Sequence, residues 1–109
     1  MSGITTHVLD TSTGKPAAGI RVKLQYEGAV IGSGATDGDG RVRELVPDGT
    51  PLQEGVYRLT FSVGEYFEVT GRDAFYPEIV VHFRIAAGSE HYHVPLLLSP
   101  FGYSTYRGS

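Results

Sequence analysis

The sequence predicts an all-β sandwich of about eight short strands with one short helix. Three observations predict it. Apolar and polar residues alternate with period two in several short runs, the spacing of strands with one wet face. Clusters of Gly, Pro, Asp, Ser and Thr separate these runs at near-regular intervals. Only residues 65–70 offer a helical turn, and that stretch is short. Many short strands between turn signals are the mark of a sandwich or a small barrel.

Taken in order, Ile4, Thr6 and Val8 share one face of a first strand over 4–9, with Thr5, His7 and Leu9 on the other. Asp10-Thr11-Ser12-Thr13-Gly14 ends it, and a loop continues to Gly19. Ile20, Val22, Leu24 and Tyr26 alternate with Arg21, Lys23 and Gln25, a half-buried strand. Glu27-Gly28 turns the chain into a strand of small residues over 29–35. The polar turn Thr36-Asp37-Gly38-Asp39-Gly40 leads to a short strand over 41–43, then a loop with two prolines over 46–55. In the strand predicted for 56–63, Tyr57, Leu59, Phe61 and Val63 share a face. The helix follows at Glu65 to Thr70. Ile79, Val81, Phe83 and Ile85 line one face of the next strand. Residues 91–97 and 101–106 close the chain as two strands around Ser99-Pro100.

The chain has 109 residues, enough for a single domain spanning 1–109 with one core. It is 40% hydrophobic and 19% charged, ordinary for a globular protein. A net charge of −3 supplies no basic patch, so no nucleic-acid partner is expected. The absence of cysteine removes disulfides and thiolate metal sites. No run of about 18 apolar residues is present, so no membrane span is expected. The first residues lack the charged and apolar regions of a signal peptide, which makes the cytoplasm the expected compartment, with periplasm and peroxisome left open.

Four features bear on chemistry. In His91-Tyr92-His93-Val94-Pro95, alternation sends His91, His93 and Pro95 outward and Tyr92, Val94 and Leu96 into the core. The H-x-H pair lacks the further ligands that zinc needs, so no metal is expected. Pro95 cannot donate to a ladder, which predicts an edge strand or a local irregularity there. Such an edge is a place for another subunit to close a cavity. His7 is outward on the first strand. Residues 36–40 fail as a calcium loop, because the glycine falls too early and Arg41 occupies a ligand position. They read instead as an Asx-type turn aiming Arg41, whose guanidinium is suited to a planar oxygen ligand. Finally, residues 89–109 carry two aromatics and an arginine close to Ser109, and a tail so composed is expected to dock. No phosphate loop and no G-x-S-x-G elbow is present, and His82 reads as a solvent-facing or interface residue.

Together, His7-Val8-Leu9-Asp10, Gly14-Lys15-Pro16-Ala17, residues 36–41, Phe75-Tyr76-Pro77-Glu78 and residues 91–109 resemble the transthyretin-like 5-hydroxyisourate hydrolases. These motifs span nearly the whole chain in the family's order. The closing Tyr106-Arg107-Gly108-Ser109 is the most specific, since it separates the hydrolases from the hormone-carrying transthyretins. The resemblance implies an eight-stranded transthyretin-like sandwich with one short helix. It implies a homotetramer, a dimer of dimers with a channel between them. It also implies hydrolytic ring opening of the small molecule 5-hydroxyisourate to 2-oxo-4-hydroxy-4-carboxy-5-ureidoimidazoline, in the breakdown of urate, with no cofactor and no metal. By the same resemblance His7, Arg41 and His93 are catalytic, and His7, Arg41, Tyr106 and Ser109 bind substrate. One histidine would be a general base and the other its partner, with the order open. The rival readings are a transthyretin-like carrier of small ligands and a non-catalytic β-sandwich module.

Overall fold

The structure is a computed structural model that describes residues 3–47, 49–86 and 91–108. Two sheets face one another. In the first, β1 (Ile4–Asp10) pairs with the two-residue β2 (Lys15–Pro16) and with β5 (Arg41–Val42) on one edge. On its other edge β1 runs parallel to β8 (Tyr92–Ser99), which pairs with β9 (Gly102–Thr105). The second sheet has the order β4 (Ala29–Ala35), β3 (Arg21–Tyr26), β6 (Gly55–Phe61), β7 (Ile79–Ile85). All eight predicted strands are present, and Lys15–Pro16 adds a short ninth that the sequence reads as loop. The helix α1 is Val63–Val69, so Val63 belongs to it and not to the strand before.

The alternation works as expected. Ile4, Thr6, Val8 and Asp10 of β1 are buried, while Thr5, His7 and Leu9 are half-buried on the outer face. Ile4, Leu24, Leu59, Phe61, Leu96 and Leu98 are fully buried between the sheets. Each such side chain contributes about 1.5–3 kcal/mol by leaving water. Thr6 reaches the interior only because its hydroxyl donates to the Val94 carbonyl at 2.6 Å, satisfying a buried polar group.

The small residues of β4 have a packing reason. A Cβ on Gly32 would stand 2.2 Å from the Leu45 carbonyl oxygen, and one on Gly34 would stand 2.8 Å from Val42. The chain after β5 therefore lies directly against β4, which fixes where β5 meets β1. Gly40 works the same way from the other side. Its φ of +76° closes the turn, its carbonyl accepts from the Val8 amide at 2.8 Å, and a Cβ there would fall 2.4 Å from the Val8 oxygen.

Of the two alternatives that Pro95 predicts, the structure takes the local irregularity. The Pro95 strand is internal, between β1 and β9, and not an edge. The irregularity is in the neighbour. The β8–β9 ladder stops at Leu96–Thr105 and resumes as a single bridge between His93 and Gly108. The Pro95 carbonyl accepts from the Thr105 hydroxyl at 2.7 Å, and its missing N–H falls where the ladder is broken. The tail is docked as expected. The Gly108 amide donates to the His93 carbonyl at 2.9 Å, and the Arg107 guanidinium lies 4.7 Å from the centre of the Tyr92 ring.

At the far end of β1 the buried Asp10 carboxylate is surrounded by donors. Arg72 Nη2 stands 2.7 Å away, the Tyr66 hydroxyl 2.8 Å, and the Ser12 hydroxyl 2.5 Å. This ties α1 and the segment after it to the first sheet. Among the described residues no helix is long and apolar enough to cross a membrane.

Candidate active site

The parallel pairing of β1 with β8 sets Thr5 beside His93 and His7 beside Pro95. The antiparallel pairing of β1 with β5 sets His7 opposite Arg41. Registered neighbours share a face. The outer face of this sheet thus gathers Thr5, His7, Arg41 and His93 from three strands. A cleft of about 320 Å³ opens on it, lined by Thr5, Arg41, Arg43, His91 and His93 together with Thr6 and Val42. That volume is at the small end of small-molecule sites.

Each side chain has a local cause for its place. The Asp37 carboxylate accepts from the amides of Asp39 at 2.9 Å and Arg41 at 3.1 Å, the Asx-type turn that the sequence predicts. The Arg41 amide contributes most to holding the Asp37 carboxyl below its ordinary value. Arg43 is spent on the same turn, with Nε 3.0 Å from Asp37 and Nη2 2.9 Å from Asp39. No described carboxylate pairs with the Arg41 guanidinium. The two arginines of the cleft therefore differ: one closes the turn and the other is available to a ligand.

His93 is half-buried, and its imidazole pKa lies below the ordinary value. Burial is the largest cause, followed by the positive charge of Arg41 and the neighbouring His7 and His91, against a smaller opposing effect of Thr5. At neutral pH this ring is uncharged, with a lone pair able to accept a proton. Its Nδ1 lies 2.8 Å from the Thr5 hydroxyl, and the same hydroxyl lies 3.0 Å from His91 Nε2. Among the described residues no three His, Cys, Asp or Glu side chains are grouped as a metal site requires.

Arg41 and His93 share the cleft, and His7 stands next to it in register with Arg41. Tyr106 lies elsewhere. It lines a second cavity of about 300 Å³ between β7 and the tail, with Val81, Phe83, Tyr92 and Thr105. His93 borders both cavities, so it is the residue that the two have in common. Ser109 lies outside the described residues. His82 is exposed on β7, in keeping with the expectation for it. Sequence reasoning missed Thr5, His91 and Arg43. Alternation put Thr5 and His91 on outer faces, but nothing in the order of residues told that β1 and β8 are neighbours.

A family model described as the HIUase/Transthyretin family matches residues 4–108. The chain belongs to this family. The 5-hydroxyisourate hydrolase of Salmonella dublin is 48% identical over 110 residues, covering 97% of this chain and 80% of that protein. The Klebsiella pneumoniae 5-hydroxyisourate hydrolase structure superimposes with a TM-score of 0.89 at 39% identity, covering 100% of this chain and 94% of that one. Sea bream transthyretin in complex with thyroxine has the same fold at a TM-score of 0.88 and 30% identity, covering 97% and 94%. The transthyretin-like sandwich with one short helix is therefore the fold of this chain, its eight expected strands joined by the two-residue β2. In sequence the chain is more like these two hydrolases, at 48% and 39% identity, than this transthyretin, at 30%.

Proposed function

We propose that this chain hydrolyses 5-hydroxyisourate in the cleft between β1, β5 and β8, without a cofactor. The observation that carries the site assignment is the meeting of an uncharged, half-buried imidazole with a guanidinium that no described carboxylate pairs. His93 is the general base. It takes a proton from water as the water oxygen attacks the ring amide carbonyl. The carbon–nitrogen bond then breaks, the proton passes to the departing nitrogen, and a carboxyl and a ureido group remain. Arg41 holds the substrate and offsets the negative charge that grows on the attacked oxygen. His7, in register with Arg41, is the partner that orients water or substrate. Tyr106, which shares a second cavity with His93, and Ser109 are the substrate-binding groups that the family likeness adds.

A homotetramer fits the same reading. The outer edges of β7 and β9 have no strand partner among the described residues, and the cleft lies open on one sheet face. Light scattering should give four times the 11.8 kDa chain mass, and a monomer fully active at assay concentration would refute the tetramer. A carrier reading gains nothing from the cleft, whose lining is dominated by arginine, histidine and threonine. The deciding assay follows freshly generated 5-hydroxyisourate by ultraviolet absorbance. His93→Asn should lower kcat by about 10²–10⁴-fold with the fold intact. Unchanged turnover in that variant would remove His93 from the mechanism.

A further inference from the structure

We propose that Thr5 is a positioning residue that sets the tautomer of His93 by donating its hydroxyl hydrogen bond to His91. The inference rests on the site assignment above and specifies how its base is prepared. Thr5 sits at the centre of a three-member chain: His93 Nδ1 at 2.8 Å on one side, His91 Nε2 at 3.0 Å on the other. A hydroxyl has one proton to donate and two lone pairs to accept with. It can therefore donate to only one of these two rings at a time.

The direction of the chain decides what His93 can do. With Nδ1 engaged by Thr5, only Nε2 is left to meet water. If Thr5 donates to Nδ1, the neutral ring carries its proton on Nε2 and has no lone pair for the water. If Thr5 accepts from Nδ1–H, Nε2 is bare and basic. A base at Nε2 requires the second arrangement, and the Thr5 proton then needs an acceptor. His91 Nε2 is that acceptor, provided His91 is neutral with its own proton on Nδ1. The order is His93 Nδ1–H to Thr5 Oγ1–H to His91 Nε2. The orienting group of a catalytic histidine works this way in other hydrolases, where its loss leaves the ring in the wrong tautomer.

The register explains why this threonine and no other does it. Parallel pairing places residue 5 level with residue 93, and residue 91 is one pleat earlier on the same face. Thr5 is half-buried and β-branched, so Thr5→Val keeps shape and strand preference while removing only the hydroxyl.

The test uses the full chain and two readouts. Nitrogen NMR of imidazole-labelled protein at neutral pH reports which ring nitrogen carries the proton. His93 should be protonated at Nδ1 in the parent protein and shift towards Nε2 in Thr5→Val. In the absorbance assay Thr5→Val should lose about tenfold in kcat with little change in KM, the worth of one neutral hydrogen bond. Thr5→Ser should restore both readouts. His91→Arg, a permanent donor at that position, should lower kcat as Thr5→Val does. Parent-protein His93 protonated at Nε2, or Thr5→Val with unchanged tautomer and kcat, would overturn the proposal while His93→Asn still tests the site. If Thr5→Val moves the tautomer but neither it nor His93→Asn changes kcat, the site assignment falls and takes the positioning role with it. Thermal unfolding of each variant separates these outcomes from a failure to fold.

Discussion

Replacing Asp10 with Asn should cost stability that depends on pH in a defined way. The parent carboxylate is fully buried at the end of β1. Burial alone would raise its pKa. The hydrogen bonds from Arg72, Ser12 and Tyr66, with the charge of Arg72, outweigh burial and bring it down to about 2 from the ordinary 3.8. At about 1.4 kcal/mol per pH unit, that gap corresponds to about 2 kcal/mol of folding free energy. The folded value is the lower one, so the contribution is complete above about pH 4 and falls away as pH drops towards 2. Arg72, left facing a neutral amide, adds a penalty at every pH. Urea unfolding of parent and Asp10→Asn between pH 2 and 7 measures both parts. Exposed carboxylates such as Glu65 and Asp37 titrate in both proteins and largely cancel in the difference. The gap between the two proteins should narrow by about 2 kcal/mol on going from pH 6 to pH 2. A gap of constant size would show that the Asp10 charge does not stabilise the fold, and the reasoning about the cluster would fail.

Three more outcomes follow from the site and its supports. Because His93 is held below the ordinary histidine pKa, kcat/KM should stay flat as pH falls through about 6.5 and drop only below it; an acid limb centred above about 6.5 would contradict the base assignment. Gly40→Ala forces a side chain into a left-handed turn and onto the Val8 oxygen, so it should cost about 2 kcal/mol or more in urea unfolding. Gly108→Ala puts a methyl group 2.5 Å from His93 Cδ2 and 3.1 Å from Pro95 Cγ, and should lower kcat with only a small change in Tm; unchanged kcat would show that the docked tail does not fix the ring.

The two-residue period made β1, β3, β6 and β7 legible, because each has one buried and one wetter face. It failed where burial does not distinguish the elements. Val63 is apolar and buried, which suits the end of β6 or the start of α1 equally. Lys15–Pro16 is a strand only because β1 has an edge for it, a tertiary fact. Pro95 signalled a broken ladder correctly, but the break was taken up by the neighbouring tail and not by an edge. At the site, the outward direction of His7 and His93 could be read from alternation, and the turn before Arg41 from its Asx chemistry. Their meeting could not, since it depends on parallel pairing between distant segments. Thr5 is the plainest case: an unremarkable threonine in the chain, and the immediate neighbour of two imidazoles in space.

That parallel pairing has a kinetic consequence. Thr5 and His93 are 88 positions apart, so the cleft requires one of the longest closures in the molecule. Local hairpins such as β3–β4 can form before the β1–β8 seam, whose entropic cost precedes its reward. During refolding, recovery of turnover should therefore lag the return of β-sheet signal, with the seam as the last step to be gained.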